Sequence, residues 1–167
     1  MQLPEELIER FSAFASAGVR YLLVGGHAVA AHGRPRSTKD VDLWLGPSAD
    51  NIRRACEGLA RFGAPSEIVE ALRTSGLSDI VWMGRAPSRV DLLRSLPGVG
   101  FEEAWRRRVG VRIGGVIVQV IGKADLIENK RTVGRPQDRR DVAALEKALP
   151  VPRKKPSGRT SGKRSRS

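Results

Sequence analysis

Cysteine is nearly missing from this chain: Cys56 is the only one in 167 residues. That excludes an intrachain disulfide and any zinc site built on several thiolates, and it suits a reducing compartment. Long apolar runs are missing too. No stretch approaches the roughly eighteen apolar residues that a membrane-spanning helix needs. The opening MQLPEELIERF carries three Glu among its first nine residues and lacks a basic segment followed by an unbroken apolar one, so it does not read as a signal peptide. A cytoplasmic protein, bacterial by default, is expected. No internal repeat is visible, and the length suits one domain with a sizeable core.

Acid is the other deficit. Against 30 Lys and Arg stand 18 Asp and Glu, a net charge of +12. On its face this suggests a polyanionic partner. The excess is concentrated, however. Residues 151–167, VPRKKPSGRTSGKRSRS, hold seven basic residues and no acid, so taking those seven from +12 leaves +5 for residues 1–150. The expected organisation is one folded domain over 1–150 and a disordered basic tail over 151–167, solubilising or loosely attractive to RNA.

Leu3, Leu7, Ile8, Phe11 and Phe14 recur at helical spacing and predict a helix over 4–17, closed by Gly18. A buried strand over 21–24 ends at Gly25-Gly26 and leads into a short helix, HAVAAH. Residues 34–39 read as a basic loop and 40–45 as a half-buried strand stopped by Gly46-Pro47. Ser48 caps a helix that runs to about Phe62 and ends at Gly63. A shorter helix over 66–73 precedes two strands, 79–83 and 89–93, joined through 84–88. A helix over 101–108, a hairpin in VRIGGVIVQVIG turning at Gly114-Gly115, and helices over 123–131 and 136–149 complete the domain. This irregular mixture argues for an α+β fold, a mixed β-sheet with helices packed against it, over a doubly wound one.

In Asp40-Val41-Asp42-Leu43 the strand period puts both carboxylates on one face, with Val41, Leu43 and Leu45 on the other. Like charges about 7 Å apart repel by roughly 2 kcal/mol at an effective dielectric of about 20, so the pair calls for a cation. A metal ion or a cluster of Arg could supply it. Oxygen ligands without His or Cys favour magnesium or manganese over zinc. Taken alone, such a pair also describes a solvated strand edge. Val24-Gly25-Gly26 joins a strand to a helix N-terminus, where free N–H groups and missing Cβ atoms admit a phosphate; a tight turn would use the same residues. Asp91, flanked by apolar neighbours, is either paired in a site or turned outward on an edge strand. His27 and His32 share no helical face and read as packing or capping residues. Asp138 and Asp141, one turn apart at a helix start, read as stabilising the helix dipole. Trp44, on the strand face of Asp42, could stack a base or fill the edge of the core.

Jointly, the order of strand, Gly-Gly, short helix, basic loop, D-x-D strand and later Asp resembles the nucleotidyltransferase superfamily, whose core includes DNA polymerase beta. The thirteen residues between Gly26 and Asp40 lie at the long end of that family's spacing. More narrowly, Gly-Gly-His-Ala, His32-Gly33 and the run from Arg36 to Asp42 look like the bacterial branch containing AbiEii-type toxins and lincosamide-type antibiotic nucleotidyltransferases. Asp125-Leu126-Ile127, Lys130, Gly134-Arg135-Pro136, Asp138 and Asp141 are similar to the end of those proteins. The likeness spans about residues 19–149.

The resemblance implies an enzyme that moves a nucleoside monophosphate from a nucleoside triphosphate, ATP among the candidates, to a hydroxyl or phosphate acceptor. Asp40 and Asp42 would hold magnesium or manganese at the triphosphate, and Asp91 with them a second ion near the acceptor oxygen. Gly25 and Gly26 would seat the triphosphate, with Arg36, Thr38 and Lys39 donating to it. Lys130 would be directed at the phosphates, a solvated helix lysine being the alternative. No general base emerges beyond Asp91. The implied acceptor is a small molecule such as an antibiotic, or tRNA or protein as in toxin-type members. The chain has no room for the acceptor-binding domain of longer relatives, so a homodimer or a partner chain would complete the acceptor site. The alternative is a catalytically idle nucleotide-binding or interaction module of the same fold, against which three clustered carboxylates argue.

Overall fold

Seven helices and six strands form among residues 2–148, the part of the chain that the computed structural model describes. Leu149 and the tail expected over 151–167 lie outside the described residues. Helix α1 (Glu5–Ser16) buries Leu7, Phe11 and Phe14, and Gly18, at φ +69, turns the chain into β1 (Tyr21–Val24). Helix α2 (Gly25–Ala31) begins at the glycine pair itself, earlier than the sequence suggests, and β2 (Asp40–Leu45) follows the basic loop. The Ser48 hydroxyl accepts the Asn51 N–H at 3.1 Å and opens α3 (Ala49–Phe62), which Gly63 closes at φ +90. Next come α4 (Ser66–Arg73), β3 (Ile80–Met83) and β4 (Arg89–Leu93). Helix α5 (Phe101–Arg106) stops two residues short of expectation because the chain must extend into β5 (Val109–Ile113). After β6 (Val116–Val120), α6 (Lys123–Val133) runs on until Gly134 at φ +69 stops it, and α7 (Pro136–Lys147) starts on proline.

The strands form one mixed sheet in the order β3-β4-β2-β1-β6-β5. β1 is antiparallel to β2 and parallel to β6, β2 is parallel to β4, and antiparallel hairpins form both outer pairs. The hairpin that turns at Gly114-Gly115 thus builds one edge of this sheet. Register divides the two faces: Val41 and Leu43 pair with Val90 and Leu92 and are buried, while Asp40 and Asp42 pair with Arg89 and Asp91 on the other face. α1 packs on α3 and α3 on α4; α2 covers β1 and β2, and α6 packs on α7. Among the described residues no helix is long and apolar enough to cross a membrane.

Candidate functional site

The parallel pairing of β2 with β4 sets Asp42 opposite Asp91, with Asp40 one step along the same face. Burial raises the Asp42 pKa, and the negative charges of Asp91 and Asp40 add to it, so the carboxyl is pushed up to about 6 despite the nearby cations Lys130 and Arg135. Gly25 is required here twice over. It sits at φ +66, and any Cβ on it would collide with the Asp42 carboxylate. A Cβ on Gly26 would lie 3.0 Å from both the Arg36 guanidinium and Thr38 Cβ, so the basic loop is laid directly on the glycine turn. Thr38 Oγ1 donates to the Asp40 carbonyl at 3.4 Å, while Lys39 is exposed.

Lys130 is not a solvated helix lysine. It is 4% exposed, with Nζ 2.7 Å from Asp141 Oδ2 and 3.2 Å from Asp138 Oδ1. Asp141 also pairs with Arg36 Nε at 3.1 Å, and Asp138 accepts from Arg135 Nε at 2.8 Å and from the Arg135 backbone N–H at 3.2 Å. Asp138 thus caps α7, as its position suggests, but both acids do more than complement a dipole: they hold three cations around the Asp42 side of the sheet. Burial alone would raise Asp138, yet the hydrogen bonds from Arg135 and Lys130 outweigh it and keep the carboxyl below its ordinary value. A basic residue in the last turn of one helix, with acids opening the next across a single glycine, was the available signal.

Arg89 is the residue that sequence reasoning missed. Its Nε lies 2.8 Å from Asp91 Oδ1 and its Nη2 3.4 Å from Oδ2, while the guanidinium sits 5.0 Å above the Trp82 ring. The strand period alone places Arg89 on the face of Asp91. His27, read as a packing or capping residue, is half-buried beside Arg36 and Asp40. Burial first, and Arg36 second, lower its pKa, leaving a neutral imidazole, and its Nε2 has no partner among the described residues. With Arg36, Ser37 and Thr38 it lines a cleft of about 320 Å³. His32 does pack: it is buried, with Nε2 2.8 Å from the Ile121 carbonyl. Trp44 is buried and meets Phe101 edge-on at 5.0 Å, so it fills the core and cannot stack a base.

Among the described residues no group of three or more His, Cys, Asp or Glu side chains could hold a metal ion as they stand. Asp91 is engaged by Arg89 instead. The donor chemistry nonetheless suits a hard divalent cation: the clustered groups are carboxylates, and a cation there would stabilise the ionised form of Asp42 that burial, and then Asp91 and Asp40, disfavour.

No family model and no curated protein matches the sequence. Solved structures do. The lincomycin-bound lincosamide antibiotic adenylyltransferase LnuA superposes with a TM-score of 0.58 at 16% identity, covering 87% of this chain and 98% of that one. An antigenic nucleotidyltransferase-like protein from Paracoccidioides brasiliensis superposes with a TM-score of 0.54 at 18% identity, covering 86% and 77%. The fold is that of the nucleotidyltransferases. At these identities the likeness is one of nucleotidyltransferase fold, and what the site does must be argued from its own residues.

Proposed function

We propose that this nucleotidyltransferase-fold protein is an enzyme that transfers a nucleoside monophosphate from a nucleoside triphosphate to an acceptor hydroxyl or phosphate. The observation that carries this reading is Asp42 facing Asp91 across β2 and β4, with Asp40 beside it and Gly25 pressed against its carboxylate. Asp40, Asp42 and Asp91 would hold magnesium or manganese, which when bound neutralises phosphate charge. Gly25 and Gly26 leave room for the triphosphate, and Arg36, Thr38 and Lys39 donate to it. Lys130 acts from behind, fixing Arg36 through Asp141. A bond forms from the acceptor oxygen to the α-phosphorus, the bond to pyrophosphate breaks, and Asp91 takes the proton of a hydroxyl acceptor.

The LnuA structure holds lincomycin, which favours a small hydroxylated acceptor here over RNA or protein as in AbiEii-type toxins. A second copy or a partner chain completes the acceptor side, in the cytoplasm. One observation favours the second reading, an idle nucleotide-binding module: Arg89 already occupies Asp91. Thermal unfolding with ATP, GTP, CTP and UTP, each with and without magnesium, separates the two. A magnesium-dependent rise that disappears in Asp42→Asn, followed by labelled transfer from the stabilising nucleotide, supports the enzyme. A nucleotide-dependent rise without transfer supports the module.

A further inference from the structure

β4 ends at Leu93, and the chain bends at Arg94, whose guanidinium reaches Ser75 and the cleft residues of α3 and α4. Three cations are buried among the described residues. Arg10 pairs with Glu6, and Lys130 with Asp138 and Asp141. Arg94, 9% exposed, has no carboxylate partner among the described residues. Its hydrogen bonds run from Nη1 to the Ser75 carbonyl at 2.7 Å and the Ser75 hydroxyl at 2.8 Å, and Nε has no partner among the described residues. Residues 149–167 contain no Asp or Glu that could serve. A buried guanidinium without a counter-charge is costly, and an oxyanion on it removes the cost.

Arg94 opens on a cleft of about 660 Å³ between α3 and α4, walled by Ile52, Cys56 and Val69 and lined also by Arg53 and Arg73. Arg53 is held by Asp50 and by Glu57, which also lines the cleft, while Arg73 makes one exposed pair, with Glu70, that an anion in the cleft can replace. We propose that this cleft binds a small organic oxyanion, a carboxylate or phosphate monoester, with its charged end on Arg94 and Arg73 and its apolar body against Ile52 and Val69. The site lies across the sheet from the aspartates and is independent of the transfer reaction proposed for them.

The test is a titration of the ¹⁵N-labelled full chain with inorganic phosphate and, in parallel, acetate, read at individual amides. Saturable shifts at Ser75, Arg94 and Ser95 with either probe, retained in Asp42→Asn, are expected. Affinity should fall about tenfold in Arg94→Met and about threefold in Arg73→Gln. Saturation by neither probe, shifts confined to Gly25 and Gly26, or unchanged affinity in both variants overturns the proposal. Arg73 is exposed, so Arg73→Gln keeps its fold and decides the matter if Arg94→Met does not fold.

Discussion

Asp42 holds its proton more tightly than a surface aspartate because it is buried and stands beside two other carboxylates. Its folded pKa, about 6, exceeds the ordinary 3.8, so its contribution to stability is present in full below the ordinary value and lost as pH rises through about 6. Without ligand, the folded state is therefore penalised at neutral pH by roughly 2–3 kcal/mol. Asp42→Asn removes the penalty: melting profiles should show the variant more stable than the parent at about pH 8 and the two converging at about pH 4. A difference that does not change with pH would refute the assignment of the shift. Truncating Lys130 has the opposite effect on stability. Lys130→Met leaves Asp138 to Arg135, and Asp141 to Arg36 and Gln137, and urea unfolding should show a loss of about 3 kcal/mol.

At the scale of elements, the glycine turn between β1 and α2 is where backbone conformation and site geometry meet. Gly25→Ala forces a Cβ onto a φ of +66 and into the Asp42 carboxylate. It should cost about 2 kcal/mol by chemical denaturation and abolish any nucleotide-dependent rise in melting temperature. Ser48→Ala, away from the aspartates, should cost about 1 kcal/mol through its lost cap and leave any nucleotide-dependent rise in melting temperature untouched. The limits of α3 and the start of α7 are legible in the sequence because Ser48, Gly63 and Pro136 act on their own neighbours. The pairing of Asp42 with Asp91 is not, since α3, α4 and β3 lie between their strands and only sheet order brings them together. The period of two suffices to put Asp40 and Asp42 on one face, and the same rule places Arg89 with Asp91. Lys130 shows the limit: its partners lie on α7, and how α6 turns onto α7 depends on tertiary packing.

For the molecule as a whole, the sheet separates two charge environments. One face gathers aspartates ringed by Arg36, Lys130, Arg135 and Arg89; the other carries Arg94, which pairs with no acid among the described residues. The seven basic residues beyond Pro150 dominate the net +12. Removing residues 151–167 should flatten the salt dependence of retention on a polyanion column while leaving the melting temperature unchanged. The three tryptophans are also differently placed. Trp44 is buried against Phe101, Trp105 lies under Arg20 and Arg108, and Trp82, 55% exposed, meets the guanidinium that grips Asp91. Trp82 is consequently an optical gauge wired to one carboxylate. Magnesium that draws Asp91 away from Arg89 should change indole emission without any nucleotide present, and Trp82→Phe should silence that signal, so a fluorimeter can read whether the protein's own arginine or an ion from solution has the aspartate.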